Sequence, residues 1–415
     1  MQVCSDAFVP LGHFQAKALR YPDLPIAEVP HPFGGLSLKE VQNVAERCIE
    51  DIARMACESK PSGSADSVAD LRAKKREMAD DYIEVNRLFR ERRWSDGLPI
   101  FPPTEALVER LLASTTRPRD EVIATIAPGF GAATIEMIAI NAAMAGCDPG
   151  CLPVLFAALK AATSPEFNLQ GIQTTTDPVT VWLIVNGPIA AKLGMNSGTN
   201  CLGQGNWANA TLGRALRLIL QNVGGALPGE MDRATQGQPG KFLFCCAENE
   251  QQNPWEPLHV ERGFRADQSV VTVVGAEGTL NMNTHVRTAD EILRIYADTL
   301  PRASGNDYRT GGDPWFIICP EHAQILSAAG LSKADIKQRL WEQSKMSASR
   351  MAAPDLELTQ LRRRKELGTI LPTTMIPVCA SPDRLGIIVA GGEGTHSVHV
   401  PSFGNTRSVS REVVC

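Results

Sequence analysis

From Glu121 to Ala390 short apolar runs alternate with longer stretches of helical period, which limits the chain to an α/β or mixed α+β fold. Strands are expected at Glu121–Ala127, Leu169–Thr174, Val181–Val185, Lys241–Cys246, Ser269–Val274, Trp315–Cys319 and Leu385–Ala390. Helices are expected at Thr134–Gly146, Pro153–Thr163, Ala208–Val223, Pro320–Ala329 and Ser332–Glu342. Thr104, Thr288 with Glu291, and Ser332 with Asp335 mark helix starts, because their side chains can satisfy free backbone N–H groups. The expected architecture is a central sheet with flanking helices. No internal repeat is visible.

The first ~95 residues read differently. Ser37-Leu-Lys-Glu40 is a capping box, and an amphipathic helix follows to about Ser59. Pro61-Ser-Gly-Ser64 breaks it, and a second, charged helix runs from Ser67 to about Arg93. This helical hairpin would pack on its own chain or on a second copy, as in a homo-oligomer. Three regions follow: an N-terminal helical extension (1–93), a central α/β catalytic core (94–285) and a C-terminal α/β portion (286–415).

The chain of 415 residues carries a formal net charge of -5 and no basic concentration. Neither nucleic acid nor an anionic membrane surface is therefore an expected partner, and a small-molecule substrate is. No run reaches the ~20 apolar residues of a membrane span, and the N-terminus lacks a signal-peptide pattern, so a cytoplasmic location is expected. The eleven cysteines are irregularly spaced, with no CxxC pair, and read mostly as reduced, buried thiols. At Cys245-Cys246, strand alternation should send the two thiols to opposite faces.

The densest chemical string is Gly194-Met-Asn-Ser-Gly-Thr-Asn-Cys-Leu-Gly-Gln-Gly-Asn-Trp-Ala-Asn, a glycine-rich loop entering a helix near Asn209. Free N–H groups and the helix dipole suit an anion there. Asn196, Ser197, Asn200, Asn209 and Arg214 are candidate binding groups. Gly203-Gln-Gly205 is not the dinucleotide fingerprint, and no phosphate-loop Gly-Lys-Ser/Thr follows. Cys201, just before the helix, is a candidate nucleophile or redox thiol.

A second loop follows the Phe242–Cys246 run and holds Glu248, Glu250, Glu256 and His259, at what would be the carboxyl end of a strand. Glu248, Glu250 and His259 suit acid–base work. Glu248, Glu256 and His259 could instead ligate a metal, although no zinc motif is present. Between the two loops, residues 224–241 are polar, glycine-rich and long for a connector. Glu230, Asp232 and Lys241 there, with Thr174 and Thr175 at an expected strand end, are candidate substrate contacts. His396 and His399 read as surface residues rather than ligands. Nothing names an organic cofactor.

Trp94-Ser-Asp-Gly-Leu-Pro with Pro-Pro-Thr104, Ile140–Cys147, Ala208-Asn-Ala-Thr-Leu-Gly-Arg214, and Cys246-Ala-Glu-Asn-Glu250 with Pro254-Trp-Glu-Pro257 resemble a bacterial protein family associated with UGSC-type thiol or selenol proteins. The resemblance covers Trp94–Phe264 well and the last third loosely, and leaves Met1–Arg93 as an addition. It implies an enzyme without naming a reaction. The chain itself has no UGSC string. The expectation is an enzyme acting on a small anionic or amide-bearing metabolite by acid–base or cysteine-assisted chemistry, as a lyase, transferase or thiol-redox catalyst. A metal-dependent hydrolase or lyase and a non-catalytic assembly subunit are the alternatives.

Overall fold

The computed structural model describes residues 2–19, 21–33, 36–58 and 72–414. It opens with two short strands that the sequence did not announce. β1 (Gln2–Ser5) pairs in parallel with β2 (Ile26–Val29), with α1 (Val9–Ala18) between them. Only four residues long and partly exposed, these strands leave no alternation to read. α2 (Leu38–Glu58) starts on the expected capping box, with the Glu40 carboxylate accepting from the Ser37 N–H at 2.8 Å and its hydroxyl at 2.7 Å. The expected break at 61–64 and the start at Ser67 lie outside the described residues. Residues 72–81 are irregular, and α3 (Tyr82–Glu91) begins only where Asp81 caps it.

The central helices start where the sequence placed their caps. Thr104 accepts from the Leu107 N–H at the start of α4 (Glu105–Leu112). β3 (Val122–Ile126) and β4 (Gly131–Thr134) form a hairpin, and Thr134 caps α5 (Ile135–Ala145). α6 (Leu152–Ala162) follows. Leu169–Thr174 is not a strand but a short helix, α7, because Asn168 takes a left-handed φ of +55° and its side chain accepts from the Gly171 N–H. Six apolar-rich residues cannot reveal their period, and the cap decides. β5 (Thr180–Asn186), α8 (Pro188–Lys192) and α9 (Trp207–Asn222) come next. β6 is confined to Cys245–Ala247, since Pro239–Lys241 forms a 3-10 turn. α10 (Leu258–Glu261) and β7 (Val270–Ala276) complete this part.

The rest runs β8 (Leu280–Asn283), α11 (Ala289–Thr299), α12 (Asn306–Thr310), β9 (Trp315–Ile318), α13 (Pro320–Ala328) and α14 (Lys333–Gln343). β10 (Met346–Ser347), α15 (Ala353–Leu367), β11 (Met375–Ile376), β12 (Gly386–Val389), β13 (His396–Val400) and β14 (Val409–Glu412) follow. Ser332 and Asp335 form the expected capping box of α14.

The fold is mixed α/β, with two four-stranded sheets where one central sheet was expected. The orders are β6-β5-β7-β14 and β12-β9-β13-β8. Each reads parallel, antiparallel, antiparallel across its strands. The two halves thus share one topology, a repeat that similarity along the chain does not display. They also exchange strands. β7 lies in the first sheet and runs into β8 of the second, while β13 of the second runs on to β14 of the first. The crossing segments meet: the Glu277 N–H donates to Pro401 O at 2.9 Å, and the Phe403 N–H to Gly275 O at 3.0 Å.

Burial orders these parts into four layers. α5, α6 and α9 pack with one face of the first sheet, through residues such as Leu183, Val185 and Cys245. Its other face sends Trp182, Ile184, Cys246 and Val274 against Trp315, Ile317, Ile388 and Val400 of the second sheet. α11, α13 and α14 cover the far side of that sheet. Cys245 and Cys246 indeed point to opposite faces. Trp182 and Trp315 meet edge to face with ring centroids 5.8 Å apart. His399, expected at the surface, is wholly buried on β13 and stacked on Phe316, and burial pushes its pKa down to about 3. His396 is exposed.

Candidate functional site

α9 organises a cleft of about 510 Å³ at the end of the first sheet where β6 begins. Asn206, not Asn209, caps the helix, accepting from the Asn209 N–H at 2.9 Å. Gly213 lets α9 lie against the chain entering β6, because a Cβ there would sit 3.1 Å from Leu243 Cβ and the Phe244 nitrogen. The next residue, Arg214, grips Asp96 through Nε and Nη2 at 2.8 and 2.9 Å and donates to Pro99 O at 2.8 Å. Gln221 donates to the carbonyls of Arg93 and Ser95, and Asn222 to that of Trp94. The Trp94–Pro99 motif is therefore a strap tied along the helix. Arg214, expected to hold an anion, spends its fork on the strap.

Beneath the strap lies Arg217, which the sequence reading did not single out. Its guanidinium is buried, donates to Ala226 O at 3.0 Å and Gln173 Oε1 at 3.3 Å, and stands 3.8 Å from Asp232. Asp232 also holds Lys241 Nζ at 2.7 Å. The tight turn at 227–232 produces this arrangement: the Asp232 and Glu230 N–H groups both donate to Leu227 O. Asp232 is buried while Glu230 points outward to an ion pair with Arg93. Burial lowers the Lys241 pKa against the opposing pull of Asp232, and lowers that of Arg217 likewise. Gln173 Nε2 is buried with no hydrogen-bond partner. The 224–241 loop is pinned, with Thr235 bonded to Thr176 O and Gln238 to Ala276 O. Thr174 and Thr175 turn their hydroxyls to their own segment, to Gln170 O and the Asp177 N–H.

A group of carboxyls adjoins this cleft and left no signature in the sequence. Asn306 Nδ2 donates to Asp177 Oδ2 at 2.9 Å and to Glu277 Oε1 at 2.6 Å. Burial, then the neighbouring Asp307 and Asp177, pushes Glu277 up to about 9. Burial also raises Asp177, whose charge and that of Lys241 favour each other. Asp307 rises to about 7, again through burial.

The other expected groups lie at the opposite end of β6. Glu248 is buried and accepts from Asn186 Nδ2 at 2.6 Å, the Leu258 N–H at 2.7 Å and Asn253 Nδ2 at 2.9 Å. Burial raises its pKa. Glu250 accepts from Asn186 at 2.9 Å and from the Gly187 N–H at 2.7 Å, with His259 Nδ1 3.7 Å away. These three candidates are brought together, on bonds that hold the loop to the end of β5. Glu256 is exposed and outside the group. Among the described residues no three His, Cys, Asp or Glu side chains are gathered as metal ligands.

The 194–209 loop spends its amides internally. The Gly198 N–H goes to Asn196 Oδ1, that of Cys201 to Gly198 O, and that of Gly203 to Asn200 O. Asn209 staples the loop from below, donating to Asn196 O and Cys201 O and accepting from the Asn196 N–H. Ser197 O accepts from the Gly391 N–H of the loop after β12. The buried Cys201 thiol is held below its usual range by the Cys246 thiol first, then by its own backbone N–H and those of Leu202 and Gly391.

A family model described as the UGSC family matches residues 1–58, the span from β1 through α2. The match lies outside Trp94–Phe264, where the resemblance was read, and inside the stretch taken as an addition. No curated protein and no solved structure shows a significant match.

Proposed function

We propose that the protein is an enzyme that holds a small carboxylate-bearing metabolite under the Trp94–Pro99 strap and moves a proton on it through Lys241. One observation carries this reading: the buried Arg217 and the half-buried Lys241 both rest on Asp232, 3.8 and 2.7 Å away. Asp96 is spent on Arg214. Asp177 also acts on Lys241, but burial favours its neutral form, and with Asp177 protonated the group keeps a surplus positive charge that favours an anion. The Arg217 fork suits a carboxylate, and the volume suits a small metabolite. Burial moves Lys241 toward the range where its amine can take a proton. Nζ would first pass its extra proton to Asp232, 2.7 Å away, which keeps the net charge of the group. The neutral amine would then take the proton on the carbon beside the substrate carboxylate, the electron pair moving onto the carboxylate oxygens opposite Arg217. Return of the proton gives an isomerase, and loss of a neighbouring leaving group gives a lyase.

The test is proton NMR of small hydroxy- and keto-carboxylates in D₂O with purified protein. Enzyme-dependent loss of a carbon-bound proton is expected for at least one compound, abolished in Lys241→Met. No exchange with any compound, or exchange that survives Lys241→Met, would sink the reading. Cysteine-assisted chemistry at Cys201 is the second reading, supported by the donors around its thiol. Cys201→Ser tells them apart in the same assay: it spares exchange on the first reading and removes it on the second.

A further inference from the structure

A larger cleft, of about 740 Å³, opens between α10, the start of β12 and β14, and so draws on both halves of the molecule. Its floor is rich in cations. The Arg262 guanidinium lies over the Trp315 ring, 5.3 Å from its centroid. It donates only to neutral groups: Ser408 O at 3.4 Å, Ser408 Oγ at 2.7 Å and Ser410 Oγ at 3.1 Å. Among the described residues no carboxylate comes within ion-pair distance of it. The two carboxylates of the floor are each claimed twice. Glu261 receives Lys333 at 3.0 Å and also Lys337, and Asp313 receives Arg384 at 2.6 Å and Arg407 at 3.6 Å.

The charge count decides what fits. The lining itself is balanced, with Arg262, Lys337, Arg384 and Arg411 against Glu166, Glu261, Asp313 and Asp383, and Lys333 and Arg407 add two cations behind Glu261 and Asp313. Adding Glu248, 4.0 Å from Lys333, still leaves the cations ahead by one. Arg411 at the rim is offset by Glu166, 3.9 Å away. Arg262 is half-buried, its hydrogen bonds reach only serine oxygens, and Asp313 and Glu261 act on it from beyond ion-pair distance, so its shell has room for an anion.

We propose that this cleft is a second ligand site, separate from the strap cleft, for a small molecule carrying an oxyanion that docks on Arg262 and Arg384. Carboxylate and phosphate share the chemistry, and the test distinguishes them. Calorimetric titration of the full chain with malonate and, separately, inorganic phosphate is compared with chloride at matched ionic strength. At least one oxyanion is expected to bind and chloride is not. Arg262→Met and, at the rim, Arg384→Gln are each expected to weaken binding about tenfold or more. Lys241→Met, in the other cleft, is expected to remove at most a separate binding event there and to leave the arginine-dependent one unchanged. Should Arg262→Met fail to fold, Arg262→Lys keeps the charge without the fork and carries the same expectation. No binding by either oxyanion, binding equalled by chloride, or loss with Lys241→Met but not with the arginine variants would overturn the proposal.

Discussion

Glu277, just past the end of β7, has a carboxyl held up at about 9, against an ordinary value of 4.5. In that interval the folded carboxyl keeps a proton the unfolded chain has already lost. The associated stability is complete below pH 4.5 and is lost as pH rises through about 9. Glu277→Gln keeps an oxygen for Asn306 and has no proton to lose. Thermal melts across that range should show a clear fall for the parent and a flatter profile for the variant. Parallel profiles would refute the assignment. Residues of this kind are hard to find in a sequence, because a carboxyl raised by its surroundings looks like any other until the fold supplies them. Asp232 and Lys241 were legible, as charged residues in an over-long polar loop. Arg217 was not, because it sits among apolar residues of a helix, where one polar side chain carries no pattern.

Elements were legible where their ends were chemically marked. Thr104, Thr134 and Ser332 announced helices that begin where expected. β5 and β7 were legible because strands covered on both faces read as apolar runs. α7 failed for want of length, and β6 because the turn at Pro239–Lys241 carries on into Phe242, so the strand begins only at Cys245. The pairing of β12 with β9 rests on a feature composition does not reveal. Gly386 faces Trp315 in register, and a Cβ there would come within 2.1 Å of the indole. Gly386→Ala must push the strand or the ring, and overpacking costs roughly 1–3 kcal/mol or more. Denaturant unfolding should show a loss of at least that size, with a shift in tryptophan emission from the inter-sheet core. An unchanged midpoint would mean that the strand gives way freely.

At the scale of the whole molecule, the shared topology of the sheets and their exchanged strands were invisible along the chain, since strand order is a property of pairing. The exchange predicts an effect at a distance. Deleting residues 409–415 strips β14 from β7, whose residues are all buried. A bare apolar edge is an aggregation site. The truncated protein should associate on size-exclusion chromatography and lose amide protection at residues 270–276. A monodisperse product with unchanged protection would show that the edge is covered otherwise. The same crossing sets an order of events during synthesis. A ribosome finishes β5, β6 and β7 long before it reaches Val409, so the first sheet must wait, one strand short, while the second half is made. Such long-range closure slows folding, and a nascent chain of this design would depend on whatever shelters that open edge until its last strand emerges.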